Sequence, residues 1–345
     1  MTPMTLKIEE VDAFDDDALG AWLGIVNAVD LNERGDASTP WTFVELCVGA
    51  REPSKAWKTI RLSASADDVL VAAGQVQLPL LDNLSAAEID VNVLPEHRRR
   101  GYGSELLEEC ERLAKEHGRS RFDAMTAWPY DGPADGSGTS GVEFGKVHGY
   151  VFGLGDVQRE VILPIPDAIL DELAAEAAER AGGYEIRTWS GPFTDDDLLL
   201  SYLELSSTLV TEAPTGDLDY EEEAVDLEAH RMHEAIVAKQ GRTKFTTVAL
   251  APDGAVAAFT DLMAPSHQPT HVYQWGTQAG RAHRGHRLGL AVKIANLKAL
   301  QATGLYDGRR LVTWNAEVNE HMIAINRQMG FEPTARAGEL QKKLT

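Results

Sequence analysis

Cysteine is scarce in this chain, since its 345 residues contain only Cys47 and Cys110, far apart in the sequence. Two isolated thiols form no metal-binding or redox spacing, and such scarcity is typical of proteins of the reducing cytoplasm. Positive charge is also scarce, because 32 lysines and arginines face 54 acidic residues, which gives a net charge of −22. So negative a chain repels phosphate backbones and anionic lipid, which argues against nucleic-acid and membrane-surface partners.

Long apolar segments are missing as well. No uncharged apolar stretch approaches the ~18 residues that a membrane span needs. Residues 1–12 lack the basic stretch followed by an apolar run that marks a signal peptide. We therefore expect a cytoplasmic protein without a membrane partner or a metal site. Its length is about twice the ~100–200 residues of a usual domain, which predicts two cores.

What the sequence does contain is an internal repeat. Residues 97–103 (HRRRGYG) have a partner 186 positions later in residues 283–289 (HRGHRLG). The same offset relates two later landmarks of each copy: Gly118 to Gly304, and Trp128 to Trp314. Recurrence of several landmarks at one spacing indicates a duplicated structural unit.

Each copy has the pattern of a strand, a basic glycine-containing turn, a helix and a strand. Apolar residues alternate with polar ones before the first turn and recur at helical spacing after it, until Gly118 stops the helix. Both copies close on a helix that ends in Gly149-Tyr150 or Gly330-Phe331. The predicted strands are 89–93, 122–128 and 157–163 in the first copy, and 272–277, 311–314 and 338–344 in the second.

These patterns predict an α/β protein of two tandem domains, each with a mixed sheet flanked by helices. We place the N-terminal domain at 1–165, a helical connector at 166–183 and the C-terminal domain at 184–345. The boundary follows from Pro164 and Pro166, from the helical run 168–181 and from a strand that starts at Tyr184.

The basic turn is a natural anion site. Where a strand ends and a helix begins, free backbone N–H groups and the positive end of the helix dipole converge. Gly101 and Gly103 let a ligand approach the backbone closely because they carry no Cβ. The turns add six arginines: Arg98, Arg99, Arg100, Arg281, Arg284 and Arg287. The alternative interpretation is a capped helix start with solvated arginines, and the duplication favours the phosphate cradle.

Other phosphate and nucleophile motifs are lacking. There is no Gly-x4-Gly-Lys-Ser/Thr and no Gly-x-Ser-x-Gly. Residues 101–103 lack the third glycine of the dinucleotide fingerprint, which argues against a Rossmann dehydrogenase.

The turn resembles that of the GNAT N-acetyltransferase superfamily, Arg/Gln-x-x-Gly-x-Gly/Ala between a strand and a helix. The first copy fits in full with Arg98, Gly101 and Gly103, whereas the second has Arg284 and Gly289 but Arg287 at the first glycine position. Residues 283–289 and 313–319, with Met322 and Asn326, are similar to actinobacterial-type tandem GNAT proteins, whose layout is similar to that of mycothiol synthase. The resemblance covers nearly the whole chain.

The resemblance implies two GNAT domains with splayed sheets, acetyl-CoA as cofactor and a small-molecule amine as acceptor. The strand before each turn would pair with the pantetheine arm, and the turn would hold the pyrophosphate. In the first copy the implied cofactor residues are Val91, Val93, Arg98, Arg99, Arg100, Gly101, Gly103 and Ser104. In the second they are Thr277, Gln278, Ala279, Arg284, Gly285, His286, Arg287, Leu288, Gly289, Leu290, Asn315, Asn319 and Asn326. A homodimer is compatible with this layout.

The catalytic residues stay open. GNAT enzymes commonly place a tyrosine four residues before the glycine of the closing pair, where this chain has Gly145 and Asn326. The candidate proton-transfer residues are Glu88, Asp90, Asp261, His271, Glu317 and Asn326. We expect the C-terminal copy to be active, with Arg287 tolerable at the first glycine position if its φ is negative, because a side chain costs little there. The alternative is a non-catalytic CoA-binding or ligand-sensing protein.

Overall fold

The computed structural model describes residues 6–344. This part of the chain divides into two compact units. Unit 1 consists of residues 6–157, 215–219 and 334–344, and unit 2 of residues 158–214 and 220–333. Among residues 6–344, no helix combines the length and the apolar character that crossing a bilayer requires.

The elements alternate along the chain as in an α/β protein. The strands are β1 (Lys7–Glu10), β2 (Trp57–Ala66), β3 (Val69–Pro79), β4 (Ala86–Val93), β5 (Arg121–Pro129), β6 (Val151–Ile162), β7 (Glu185–Ser190), β8 (Arg242–Leu250), β9 (Val256–Pro265), β10 (His271–Ala279), β11 (Arg310–Ala316) and β12 (Glu332–Lys343). The helices are α1 (Asp16–Arg34), α2 (Phe43–Arg51), α3 (Tyr102–Glu116), α4 (Ser140–Val147), α5 (Asp167–Ala178), α6 (Asp196–Ser206), α7 (Leu209–Glu212), α8 (Leu227–Lys239), α9 (Leu288–Gln301) and α10 (Glu320–Gln328).

Unit 1 is a mixed sheet with helices on both faces. Its strand order is β1-β2-β3-β4-β5-β12, followed by the part of β6 that belongs to the unit. The pair β4–β5 is parallel, whereas β1–β2, β2–β3, β3–β4 and β5–β12 are antiparallel. Helix α3 packs on one face in a core around Leu106 and Cys110, and α1 packs on the other around Leu19 and Trp22.

Unit 2 repeats this arrangement. From the end of β6 its strand order is β6-β11-β10-β9-β8-β7, with β10 and β11 parallel and β9–β10, β8–β9 and β7–β8 antiparallel. Helices α5 and α9 pack on one face around Leu297, and α6 packs on the other around Leu199. Both sheets are mixed and flanked by helices, which confirms the predicted fold class.

The helix boundaries follow from capping residues. The Asp15 side chain accepts hydrogen bonds from the backbone at the start of α1, and Thr42 with Glu45 forms a reciprocal capping box at α2. The Asn319 side chain accepts from Met322 N at 3.2 Å, so Asn319 is the N-cap of α10.

The units differ from the predicted domain limits, because residues 158–165 and the predicted connector belong to unit 2, and residues 215–219 belong to unit 1. Strands β6 and β12 start at Val151 and Glu332, several residues before the predicted 157 and 338. Residues 334–344, assigned from the sequence to the C-terminal domain, belong to unit 1, because β12 pairs with β5 from Ala335 to Lys343. Alternation within one strand cannot reveal which sheet the strand joins, since pairing is a long-range choice.

Candidate functional site

The two basic turns have the same backbone. Each leads from its strand through a short 3₁₀ helix, Pro95–His97 or Arg281–His283. Two residues with positive φ follow, Arg99 (63°) and Gly101 (93°) in unit 1 and Gly285 (87°) and Arg287 (53°) in unit 2. Glycine and arginine therefore exchange places between equivalent positions, and both turns aim backbone N–H groups at the start of a helix.

Arg287 does not meet the condition of a negative φ. Its φ of 53° lies in the left-handed region, which costs a residue with a Cβ about 1 kcal/mol or more. The second copy keeps the fold of the turn because Gly285 takes the other left-handed position. The family motif has a glycine at only one of the two left-handed positions of the turn. In the structure both positions have a positive φ in each copy.

Beside each turn, the two parallel strands separate. Strands β4 and β5 are in register only from Ala86 to Glu88, and β10 and β11 only from His271 to Tyr273. Beyond those points the strands continue unpaired with each other, and we call the resulting gap the wedge of each unit. The predicted splay of the sheets is therefore present in both copies.

A bulge distinguishes the wedge of unit 2. The register between β10 and β9 shifts by one residue between Gln274 and Thr277, whereas β4 and β3 pair without a shift from Glu88 to Val93. A bulge takes backbone groups out of the ladder and is frequent next to active sites. The bulge of unit 2 therefore contains Trp275 and Gly276, whereas unit 1 has a regular ladder at the equivalent positions.

The first helical turn of α3 is covered by its own unit. A methyl group added at Gly103 would lie 3.3 Å from the Phe144 ring and 3.4 Å from Val93. Ser104 Oγ is 3.0 Å from His148 Nε2, and the His148 ring packs against Phe144 with centroids 4.5 Å apart. The end of α4 therefore fills the space in front of this turn.

The equivalent position in unit 2 is open. A methyl group added at Gly289 would meet only Thr277 Cγ2, at the ordinary contact distance of 3.9 Å. Leu288 and Leu290 point into the core and anchor α9. A ligand can therefore approach the backbone at Gly289 without displacing a side chain of unit 2.

The arginines of the two turns differ in their partners. In unit 2, Arg281 Nε and an Arg284 nitrogen each lie 2.5 Å from a carboxylate oxygen of Glu212, and Arg287 pairs with Glu176. In unit 1, Arg98 lies 2.6 Å from Glu33 and donates to Val93 O, which confines it to the turn.

The other two unit 1 arginines are exposed. Arg100 donates to Glu96 O at 3.2 Å, and neither Arg99 nor Arg100 forms an ion pair within residues 6–344. The open turn therefore has neutralised arginines, and the covered turn has available charge.

The remaining cofactor positions of unit 2 present backbone rather than side chains. Thr277 Oγ1 lies 2.7 Å from Thr260 Oγ1, and Gln278 Nε2 donates to Thr208 Oγ1 at 2.8 Å. His286 Nδ1 is 3.2 Å from Arg180 O. Ala279 and the unit 1 residues Val91 and Val93 have no polar side-chain atoms, so at these three positions only the main chain can form hydrogen bonds with a ligand in the wedge.

A polar chain lies beside the wedge of unit 2. Asn326, wholly buried on α10, donates from Nδ2 to Asn315 Oδ1 at 2.6 Å. Its Oδ1 accepts from Lys293 Nζ, which is also wholly buried, on α9. The family motif includes the two asparagines but not Lys293, which occupies a position of the apolar stripe of α9. The sequence did contain a signal for this residue, because a lysine on the buried face of a predicted amphipathic helix is unusual and indicates a specific role.

The proton-transfer candidates of unit 2 do not come together. Asp261 is buried and accepts from Tyr202 Oη at 2.6 Å and Thr246 Oγ1 at 2.7 Å. Its carboxylate also lies 3.2 Å from Lys244 Nζ, so donors already engage it. His271 is buried at the paired start of β10.

Glu317, by contrast, is exposed. It directly follows the carboxyl end of β11, where the wedge is open. Of the four candidates in unit 2, Glu317 is the one that directly follows the end of β11 in the sequence.

In unit 1, the two acidic candidates share strand β4. Desolvation, with the negative charges of Asp90 and Asp123, raises the pKa of Glu88 to about 7, although this residue is exposed at the surface. Burial raises the pKa of Asp90 to about 6. Both carboxyl groups therefore hold protons more tightly than usual.

Comparison with known proteins agrees with this architecture. Residues 35–129 match the model of the acetyltransferase (GNAT) family. Residues 35–129 form a GNAT-family domain. A tandem GNAT protein from the clavulanic acid biosynthesis pathway is 24% identical, with 98% of each chain covered and a TM-score of 0.75. The whole chain has this tandem GNAT fold.

More distant structures share the GNAT fold. A GCN5-related N-acetyltransferase from Sphaerobacter thermophilus is 14% identical over 98% of this chain and 95% of that one, with a TM-score of 0.65. Saccharomyces cerevisiae N-myristoyltransferase, solved with bound myristoyl-CoA, is 12% identical over 99% and 83%, with a TM-score of 0.58. A comparison with curated proteins finds no match. At these identities the likeness concerns the fold.

Proposed function

We propose that the chain is an acetyl-CoA-dependent N-acetyltransferase that acts on the amine of a small molecule, and that unit 2 is the active copy. The observation that carries the proposal is the open turn at Gly289, where a backbone with two left-handed residues meets a helix start beside a wedge. The domain formed by residues 35–129 and the tandem GNAT fold support acyl-CoA-dependent transfer in general.

The residues of unit 2 fit a thioester cofactor. Backbone N–H groups from Arg284 to Leu290 would bind the diphosphate, helped by the dipole of α9. The main chain of β10 would pair with the pantetheine arm, and the bulge at Trp275 would orient N–H donors toward a carbonyl oxygen. When bound, the cofactor supplies an activated acyl group. Glu317, which follows the end of β11, would accept the proton of an amine that enters at the open end of the wedge.

Unit 1 differs from unit 2 in the space that is available for a ligand at its basic turn. Phe144 and His148 occupy the space in front of its turn, so a nucleotide would have to displace both. We propose that unit 1 is a structural partner that has retained the GNAT backbone without a functioning cofactor site.

The absence of the family's tyrosine in both copies favours one other function. Gly145 and Asn326 stand at that position, and neither side chain is an acid. A protein that binds CoA through unit 2 and senses a ligand without transferring an acyl group would have the same turn and the same wedge.

Calorimetry with CoA and a thiol-release assay with acetyl-CoA and a panel of small amines test these proposals. We expect one CoA per chain and thiol release that depends on an amine. Binding without release on any amine would favour the sensor. Two equivalents would contradict the role given to unit 1, and no binding would contradict the enzyme and the sensor alike.

A further inference from the structure

Lys293 is an amine buried without a counter-ion. Its side chain has no exposed surface, and it forms no ion pair with any residue of the described range 6–344. Nζ lies 2.5 Å from Asn326 Oδ1 and 5.4 Å from the centre of the Phe331 ring. Burial lowers the pKa of Lys293 to about 7. A methionine would fill similar space without the cost of desolvating an amine, so packing alone gives no reason for a lysine here.

The hydrogen bonds that start at Lys293 have a direction. In its protonated form the Lys293 amine only donates, so the amide oxygen of Asn326 must then face it and the amide nitrogen must face Asn315. Asn326 Nδ2 donates to Asn315 Oδ1 at 2.6 Å, in agreement with that requirement. The donor capacity of Lys293 thus determines the orientation of two successive amides.

The chain of hydrogen bonds ends at the wedge. Asn315 lies on β11 beyond Val312, the last residue of that strand in register with β10. Its oxygen is engaged by Asn326, and its Nδ2 has no hydrogen-bond partner among residues 6–344. Asn315 is half-buried. The N–H groups of its amide are therefore the side-chain donors that it can offer to a ligand at the edge of the wedge.

We propose that Lys293 is a positioning residue, which acts through Asn326 to turn the amide of Asn315 so that its N–H group faces the wedge as a donor to a carbonyl oxygen of the pantetheine arm. This inference rests on the function proposed for unit 2. It also explains why an asparagine, rather than an acid, stands at position 326: an amide can accept at one end and donate at the other.

The deciding variant is Asn326→Asp, with CoA affinity measured by calorimetry. A carboxylate still accepts from Lys293, so the thermal midpoint should be unchanged or higher. It cannot donate, so Asn315 must reverse and offer its oxygen to the wedge. We expect CoA to bind about 10-fold more weakly, which corresponds to about 1.4 kcal/mol.

Two substitutions of Lys293 separate donation from packing. Lys293→Met removes the donor and should also weaken CoA binding about 10-fold. Lys293→Gln keeps an N–H donor, and we expect it to bind within about 3-fold of the unsubstituted protein. Equal loss from both would show that the lysine is needed for packing alone and would overturn the proposal.

Side-chain amide NMR gives a readout that needs no cofactor. In protein without CoA, the Asn326 amide protons should exchange slowly with solvent, and they should exchange faster in Lys293→Met. Unchanged exchange, or unchanged CoA affinity in Asn326→Asp, would overturn the positioning role while leaving the proposed function intact. A chain that binds no CoA at all would overturn the proposed function, and slow exchange would then show that the hydrogen-bond chain itself exists.

Discussion

The turns of units 1 and 2 are alike in backbone and opposite in surroundings. Both place left-handed residues at two equivalent positions, although glycine occupies the second in unit 1 (Gly101) and the first in unit 2 (Gly285). In unit 1 the α4 side chain of Phe144 covers the turn, whereas the space at Gly289 in unit 2 is open. A motif can therefore preserve the geometry of a binding turn after neighbouring side chains have closed it.

The two turns also differ in the charge of their arginines, and here the covered turn has more unpaired charge than the open turn. The open turn has its arginines paired with Glu212 and Glu176, whereas Arg99 and Arg100 of the covered turn form no ion pair among residues 6–344. The number of arginines without an ion pair would by itself select the covered turn. Steric access to the turn is the first requirement for ligand binding, because a side chain that fills the site must be displaced before charges can attract the ligand.

The largest expected effect comes from filling the open turn. Gly289→Trp should lower kcat/KM for acetyl-CoA at least about 100-fold, about 2.7 kcal/mol, because the indole would occupy the space that the ligand needs. Gly289→Ala should cost under about 10-fold, since its methyl group meets only Thr277 at 3.9 Å. Steady-state kinetics measures both.

Gly103→Trp is the matched control in unit 1. It must push Phe144 aside, so the thermal midpoint should fall, while kcat/KM per folded molecule should stay within about 3-fold. Equal losses of activity at the two positions would break the assignment of catalysis to unit 2.

The second expected effect is a pH dependence specific to unit 1. The folded chain binds the Asp90 proton more tightly than the unfolded chain, because burial raises the pKa to about 6. Stability is therefore lost as the pH rises from about 4 to about 6. Asp90→Asn should be more stable than the unsubstituted protein by about 2 kcal/mol at pH 8 and gain little at pH 3, measured by urea unfolding. A gain that does not change with pH would contradict burial of the charge as the cause.

Opening the covered turn is the third test. Phe144→Ala removes the ring that faces Gly103 and should cost about 2 kcal/mol of stability, because the ring is partly buried. Calorimetry should then detect a second, weak CoA equivalent at millimolar concentration. If the variant is folded and still binds one CoA, something other than Phe144 makes unit 1 inactive.

The smallest effect concerns the carboxylate that pairs with two arginines of unit 2. Glu212→Gln frees Arg281 and Arg284 for a phosphate, so CoA should bind about 3-fold more tightly at low ionic strength. The gain should fade in 0.5 M salt, since screening weakens exposed charges. Glu204→Gln, on α6 with no ion pair in the described range, is the control. Weaker binding by Glu212→Gln would mean that this carboxylate holds the arginines in place for the ligand.

Much of the fold and part of the site could be predicted from local pattern. Alternating and helical periodicities located β4, α3, β10 and α9, and the glycine–aromatic pairs located the ends of α4 and α10. The cap at Asn319 was predictable because it depends on neighbours three residues away. The positive φ of Arg287 was not, because a residue with a Cβ adopts that conformation only when the surrounding turn requires it.

By itself, the sequence determined that this chain is a duplicated mixed α/β protein with two basic turns, because repeats, periodicity and capping act over a few residues at a time. Only the tertiary structure decided which turn is open, which sheet receives β12 and that a buried Lys293 meets Asn326. Those outcomes depend on contacts between segments distant in the chain, where close packing admits one side chain and excludes another.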